Sequence, residues 1–195
     1  MSDASQDPLA NIAPLQISKG RFRRLKISLA AGVVFLLMLG VLLPSLCKSS
    51  ETANRIKCAN NLRQIGMAIK QYASEHGGRY PDSFATLILS ADLTAATFNC
   101  PSTVTQPAPG DTPQAVAAHL GEDQYESYVY VGKGLTADRV NADTVIAYDL
   151  PSNHGLAGNV LYGDGRVEFL DESVVKEIDE RSKAGRLPVT MPSGQ

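Results

Sequence analysis

The sequence predicts an α+β protein: a long N-terminal helix, transmembrane in its first part and amphipathic in its second, packed on a small antiparallel sheet. Three observations lead there. Residues 27–46 read ISLAAGVVFLLMLGVLLPSL and carry no charge. Cys58, Leu62, Ile65, Ile69 and Tyr72 then follow one another at steps of four and three, which places them on one face of a helix. From Glu126 the residue types turn to β-formers in short runs, ESYVYVG, TVIAYD, NVLYG and RVEFL, the last two separated by Gly163-Asp164-Gly165.

The first segment, 1–26, is a basic leader. Its opening residues mix Ser, Asp, Gln and Pro without a period, and the reading there is disorder. Lys19, Arg21, Arg23, Arg24 and Lys26 crowd the near side of the apolar run while Lys48 stands alone close behind it, so the positive-inside rule places the leader in the cytoplasm. At about 1.5 Å per residue the run 27–46 reaches roughly 30 Å, the thickness of a bilayer's hydrocarbon core. A cleaved signal peptide is the rival reading, but the run is too long for one and no small-x-small cleavage site follows it. A lipid on Cys47 would require a small residue where Leu46 stands. The expectation is a single-pass protein of the plasma (inner) membrane, its domain 47–183 outside.

Within that domain the stalk helix covers 48–76. Asn54, Lys57, Asn61, Gln64 and Lys70 occupy its polar sides, Gly77-Gly78 ends it, and Pro44 is expected to kink the helix near the membrane surface. A variable loop region, 77–125, contains one short helix, 83–89, capped by Asp82, and a Pro-rich loop, 101–113, with no apolar period. The sheet spans 126–170, its final hairpin using the positive φ that the glycines beside Asp164 tolerate. Tyr128 and Tyr130 read as sheet packing, and a last helix, 171–183, offers Val174, Val175 and Ile178 as a narrow apolar stripe. The tail 184–195 reads as disordered. A net charge of -2 over 195 residues gives no basic surface for nucleic acid. With no Trp and 6% aromatics, the core rests on Leu, Ile, Val and Tyr.

An N-terminal membrane helix continuing into an amphipathic stalk on a small antiparallel sheet resembles the type IV pilins and type II secretion pseudopilins. KCANNLRQIGMAIKQYASEHGGRYP after the apolar run, FNCP at 98–101, and His154 followed after nine residues by Asp164-Gly165 are similar to the prepilin-like proteins abundant in planctomycete-type bacteria, with their C-terminal His-nine-Asp-Gly domain. The resemblance implies a pilin-like fold and association through the N-terminal helix with homotypic or pseudopilin-like subunits. The front end departs from the family. A processed prepilin carries a glutamate near the start of its mature chain, which neutralises a neighbour's new N-terminus inside the membrane. Here counting from the Gly20–Arg21 junction reaches Leu25, and aligning on Pro44 reaches Ile27. Without a carboxylate, insertion of a free ammonium into a filament is disfavoured by several kcal/mol, in order of magnitude. The chain is therefore expected to remain unprocessed.

The topology places Cys47, Cys58 and Cys100 outside, where thiols can pair. A Cys58–Cys100 bridge would pin the variable region to the stalk and contribute about 4 kcal/mol in the chain-entropy model; two small buried apolar residues are the alternative. Cys47 reads as an ordinary free thiol. His154, with Asp149, Asn159 and Asp164 near it in sequence, forms the candidate ion or turn site. A turn histidine bonding a backbone carbonyl explains it, calcium or another ion at the turn is the alternative, calcium because secretion-type pseudopilins bind it in a C-terminal loop, and catalysis comes last. No further His or Cys sits at zinc spacing, and no Gly-x-Ser-x-Gly elbow or phosphate loop appears. Asn60, Asn61 and Arg63 read as a solvated or subunit-facing side of the stalk. The leading expectation is a non-enzymatic, membrane-anchored component of a pilus-like or secretion-related envelope assembly. A solitary anchored ligand-binding domain is the second, and an enzyme the third.

Overall fold

The computed structural model describes residues 19–190 apart from 104, 123, 156 and 187, and of residues 19–23, 25 and 39–49 it describes the backbone alone. The leader residues 1–18 and the end of the tail, 191–195, lie outside the described residues, as do the side chains of Pro44 and Cys47. The chain divides into two units, Met1–Cys47 and Lys48–Gln195. Helix α1, Lys19–Glu75, supplies residues to both.

Among the described residues of the first unit, apolar side chains of α1 are exposed: Leu29 is 70% exposed, Phe35 65% and Leu36 68%. Among the described residues, no helix is long and apolar enough to cross a membrane. The side chains of 39–46, the last eight residues of the expected span, lie outside the described residues.

The second unit is α+β. Strands β1 (Tyr128–Tyr130), β2 (Val145–Asp149), β3 (Gly158–Tyr162) and β4 (Val167–Leu170) form one four-stranded sheet in chain order, every neighbouring pair antiparallel. Both faces of its middle are covered, and β2 and β3 are buried along their whole lengths. On one face Cys58, Leu62, Ile65, Ile69 and Ala73 of α1 share a core with Tyr128, Ala147 and Leu161. Gly66 lets the helix come close, since a Cβ there would stand 2.9 Å from Leu161 Cδ1. A register shift between Val145 and Ala147 brings Ile146 into the same core. On the other face Val145, Tyr148, Val160 and Tyr162 meet Val175 and Ile178 of α4, Glu172–Lys183. The Tyr148 hydroxyl donates to Asp179 at 3.0 Å, so its polar end is satisfied under that helix.

Helix α1 ends as the Gly77-Gly78 pair predicts. Both glycines have positive φ, and the Gly78 amide closes onto the Ala73 carbonyl at 2.8 Å. In the hairpin between β3 and β4 only one of the expected positive-φ glycines has that role, Gly165 at φ 96. Gly163 is needed for a different reason: a Cβ there would run into the Asn141 carbonyl oxygen and Val140 Cγ1.

The expected helix at 83–89 is present one residue later, as α2, Phe84–Ser90, and its cap is Ser83 rather than Asp82. The Thr86 amide donates to Ser83 Oγ at 3.1 Å, because Ser83 is the residue left in extended backbone at the helix start. Ser83→Ala should therefore cost about 1 kcal/mol in chemical denaturation, while Asp82→Ala should stay within about 0.5 kcal/mol. The region 77–125 holds more structure than one helix: a 3-10 turn, Ala95–Phe98, and α3, Pro113–His119. Thr112 caps α3 by accepting from the Ala115 amide at 3.2 Å, and Val116 and Leu120 bury its apolar side. The tail is also docked where disorder was expected. Val189 is 1% exposed, and its carbonyl accepts from the Val145 amide at 2.8 Å, so an apolar side chain and a sheet-edge bond hold it beside β2.

Candidate functional site

Cys58 and Cys100 are joined in a disulfide, Cα to Cα 5.4 Å, across a sequence separation of 42 residues. Both are fully buried. Cys58 arrives on the apolar stripe of α1; Cys100 follows the 3-10 turn, where the Asn99 amide bonds the Ala96 carbonyl at 3.2 Å and the Thr103 amide bonds the Cys100 carbonyl at 3.1 Å. Asn61, expected on a solvated side, reaches the same turn and donates to the Asn99 carbonyl at 3.1 Å. Position on the helix decides this: Asn61 borders the buried stripe, so its amide satisfies loop carbonyls rather than water.

The bridge lies against a cluster of polar side chains from elsewhere in the chain. Asp149 ends β2, Asn159 lies near the start of β3, and His154 belongs to the connection between them, held by a bridge to Ala157 and by Gly155 at φ 67. His154 Nε2 is 3.3 Å from Cys100 Sγ and 3.5 Å from Asp149 Oδ2. Its Nδ1 meets Glu51 Oε1 at 2.6 Å, although the ring itself is buried. The expected bond to a backbone carbonyl is thus replaced by carboxylates and sulfur, because α1 brings Glu51 over the turn and β2 presents Asp149 beneath it.

Asp149 is fully buried. Its Oδ2 accepts from the Asn159 amide at 2.8 Å and from Asn159 Nδ2 at 2.7 Å, while Oδ1 has no hydrogen-bond partner among the described residues. Burial pushes its carboxyl above the usual range, against the opposing pull of Asn159's bonds, a charge on His154 and the nearby Asn153 side chain. Glu51 goes the other way. Burial would raise it, but hydrogen bonds from His154 and Ser102 and the charges of His154 and Arg55 outweigh that and hold it below the usual range. Glu51 Oε1 accepts from His154 Nδ1–H, and in the neutral form of that tautomer the Nε2 lone pair would face Cys100 and Asp149.

Of the sequence-derived set, Asp149, His154 and Asn159 come together, joined by Cys58 and Cys100. Asp164 does not belong to the cluster. It sits past the far end of β3 in the hairpin turn, where it accepts from the Arg166 amide at 2.9 Å and pairs with Arg166 Nη1 at 3.0 Å. Glu51 was not anticipated. Its signal was present, since Glu51, Arg55 and Cys58 are spaced by four and three, continuing the buried stripe toward the N-terminus. Arg55 caps this end of the sheet, its guanidinium lying over the Phe169 ring of β4 at 3.3 Å from the ring centroid.

The donor atoms of Cys58, Cys100, Asp149 and His154 all lie within 4.8 Å of one another. Joined in a disulfide the two sulfurs are not metal ligands; as thiolates, with an imidazole and a single carboxylate, they would suit a borderline-soft ion such as zinc, whereas calcium takes six to eight oxygens. A separate open groove of about 610 Å³ is lined by Asp82, Phe84, Tyr128, Tyr130 and Lys183 among others.

Fold and site together define a disulfide-pinned α+β domain with a buried Cys–His–Asp cluster. No family model, curated protein or solved structure matches the chain.

Proposed function

We propose that this chain is a non-enzymatic, membrane-anchored, pilin-like protein. Its N-terminal helix crosses the plasma (inner) membrane and associates there with like or pseudopilin-like subunits of a pilus-like or secretion-related envelope assembly. The observation that carries the reading is the cover of the sheet: residues 58–73 of α1 pack on an antiparallel meander, and the uncharged run 27–46 precedes them closely in the sequence. A sheet of four short strands needs such a cover, and a helix used both as anchor and as cover is the pilin arrangement. The exposed apolar side chains of 27–38, and Ile56 and Met67 exposed on α1 at 57% and 64%, are surface for lipid and for neighbouring subunits. The leader's basic residues favour a cytoplasmic N-terminus and leave the domain outside, where the disulfide is stable. The missing glutamate favours an unprocessed chain.

Cross-linking in native membranes should give a ladder of homotypic bands, mass spectrometry of the extracted protein should show residues 1–26 intact, and protease outside spheroplasts should reach the C-terminal domain. A single monomer band would favour the solitary ligand-binding reading, for which the groove beside Phe84 and Tyr130 is the specific support. A freely soluble protein would end both.

A further inference from the structure

We propose that the Cys58–Cys100–His154–Asp149 cluster is a zinc site whenever its two cysteines are reduced, so that a disulfide and a Zn²⁺ ion are alternative fastenings of the same junction. The reading is independent of the envelope assembly proposed above and stands on geometry. Ligands at 2.0–2.3 Å around a tetrahedral zinc are separated from one another by about 3.3–3.8 Å. His154 Nε2 already lies 3.3 Å from Cys100 Sγ and 3.5 Å from Asp149 Oδ2, two edges of such a tetrahedron. Breaking the S–S bond frees the two sulfurs to separate toward the same spacing.

The surroundings match as well. A zinc-bound histidine usually donates its other ring nitrogen to a carboxylate, which fixes the tautomer and aims the lone pair at the metal. Glu51 accepts that bond at 2.6 Å, and Ser102 in turn donates to Glu51 at 2.8 Å. Asn159 orients Asp149 through two bonds to Oδ2, while Oδ1 is buried without a hydrogen-bond partner among the described residues. A buried carboxylate with an unsatisfied oxygen, set beside a histidine and two sulfurs, is compensated more fully by a divalent cation than by one imidazole. The ligands come from α1, the turn after Phe98, the end of β2 and the β2–β3 connection, so the ion would tie together the segments that the disulfide now ties. Both sulfurs and the imidazole are buried, which makes this a closed structural site rather than an open catalytic one.

The exchange balances. A phosphine reductant takes up an oxygen from water and leaves two thiols in place of the S–S bond. Zinc then binds as both thiols lose their protons to solvent, giving two thiolates, one carboxylate and one neutral imidazole around the ion.

The test uses the full chain in mild detergent, with Cys47→Ser to remove the third thiol. After reduction with a phosphine under argon and desalting, it should retain one equivalent of zinc, and cobalt in its place should give the d–d and thiolate charge-transfer bands of a tetrahedral sulfur-containing site. The oxidised chain should retain none. His154→Ala should weaken zinc at least 100-fold, and Glu51→Gln, which alters a half-exposed side chain and leaves the fold intact, should weaken it about 10–100-fold. A reduced chain that zinc neither binds nor refolds overturns the proposal. So does zinc binding that is unchanged in His154→Ala and Glu51→Gln.

Discussion

Reducing the Cys58–Cys100 bridge in the presence of a chelator should lower the free energy of unfolding by about 4 kcal/mol. The bridge spans 42 residues of sequence, so it removes much of the conformational freedom of the unfolded chain. In the folded state it ties the 3-10 turn and its neighbours to α1, where Phe98 and Cys100 are both fully buried. For a domain of this size a loss of that magnitude lowers Tm by about 10 °C. The double substitution Cys58→Ala, Cys100→Ala should show the same fall and be insensitive to reductant, while Cys47→Ser should change nothing. Urea denaturation followed by circular dichroism, with and without a phosphine, measures the difference directly. A fall below about 1 kcal/mol would mean that packing around Phe84, Leu87 and Phe98 holds the middle of the chain without help from the covalent link.

What could be read from the sequence was whatever repeats at a short period. The helical stripe from Cys58, the four strands and the glycine stop at 77–78 all depend on local spacing, and the structure has each of them. The Cys58–Cys100 pair was also legible, because the expected compartment favoured a bridge and one cysteine lay on the buried stripe. Other features depend on which distant segments meet. Glu51 lies 103 residues from His154, and no spacing rule joins them. The same holds for zinc-type donors: sequence inspection looks for closely spaced ligands, whereas here the fold brings them together from four separate segments. Nearness in sequence groups Asp164 with His154, yet β3 runs between them and carries Asp164 to the other end of the sheet. Helix α3 is not legible in the sequence, because a one-sided pattern seven residues long cannot be told from a loop, and its capping threonine stands inside a Pro-rich stretch. Val189 looked like tail for want of any period around it; its place is set by an unfilled position beside Val145.

The second large effect concerns the seam between α1 and the sheet. Leu62→Ala should destabilise the domain by about 3 kcal/mol, within the range of roughly 2–5 kcal/mol found for buried leucines. Leu62 is fully buried and belongs to the core that also holds Ile65, Ile69, Ile146 and Leu161. Its removal leaves a cavity between two rigid elements, and neither can close on it easily. Gly66 already sets their approach against Leu161, and the disulfide fixes α1 a turn further toward the N-terminus. Met67 on the same helix is the control: it is 64% exposed, and Met67→Ala should change stability by less than about 0.5 kcal/mol. The contrast reports on how the domain is built, because a short four-stranded meander has little stability of its own. If Leu62→Ala unfolded no more readily than Met67→Ala, the sheet and α4 would have to form a self-sufficient unit with α1 merely resting on it. A helix so weakly engaged could not also serve as the rigid stalk of an anchored subunit, and the proposed assembly role would lose its physical basis.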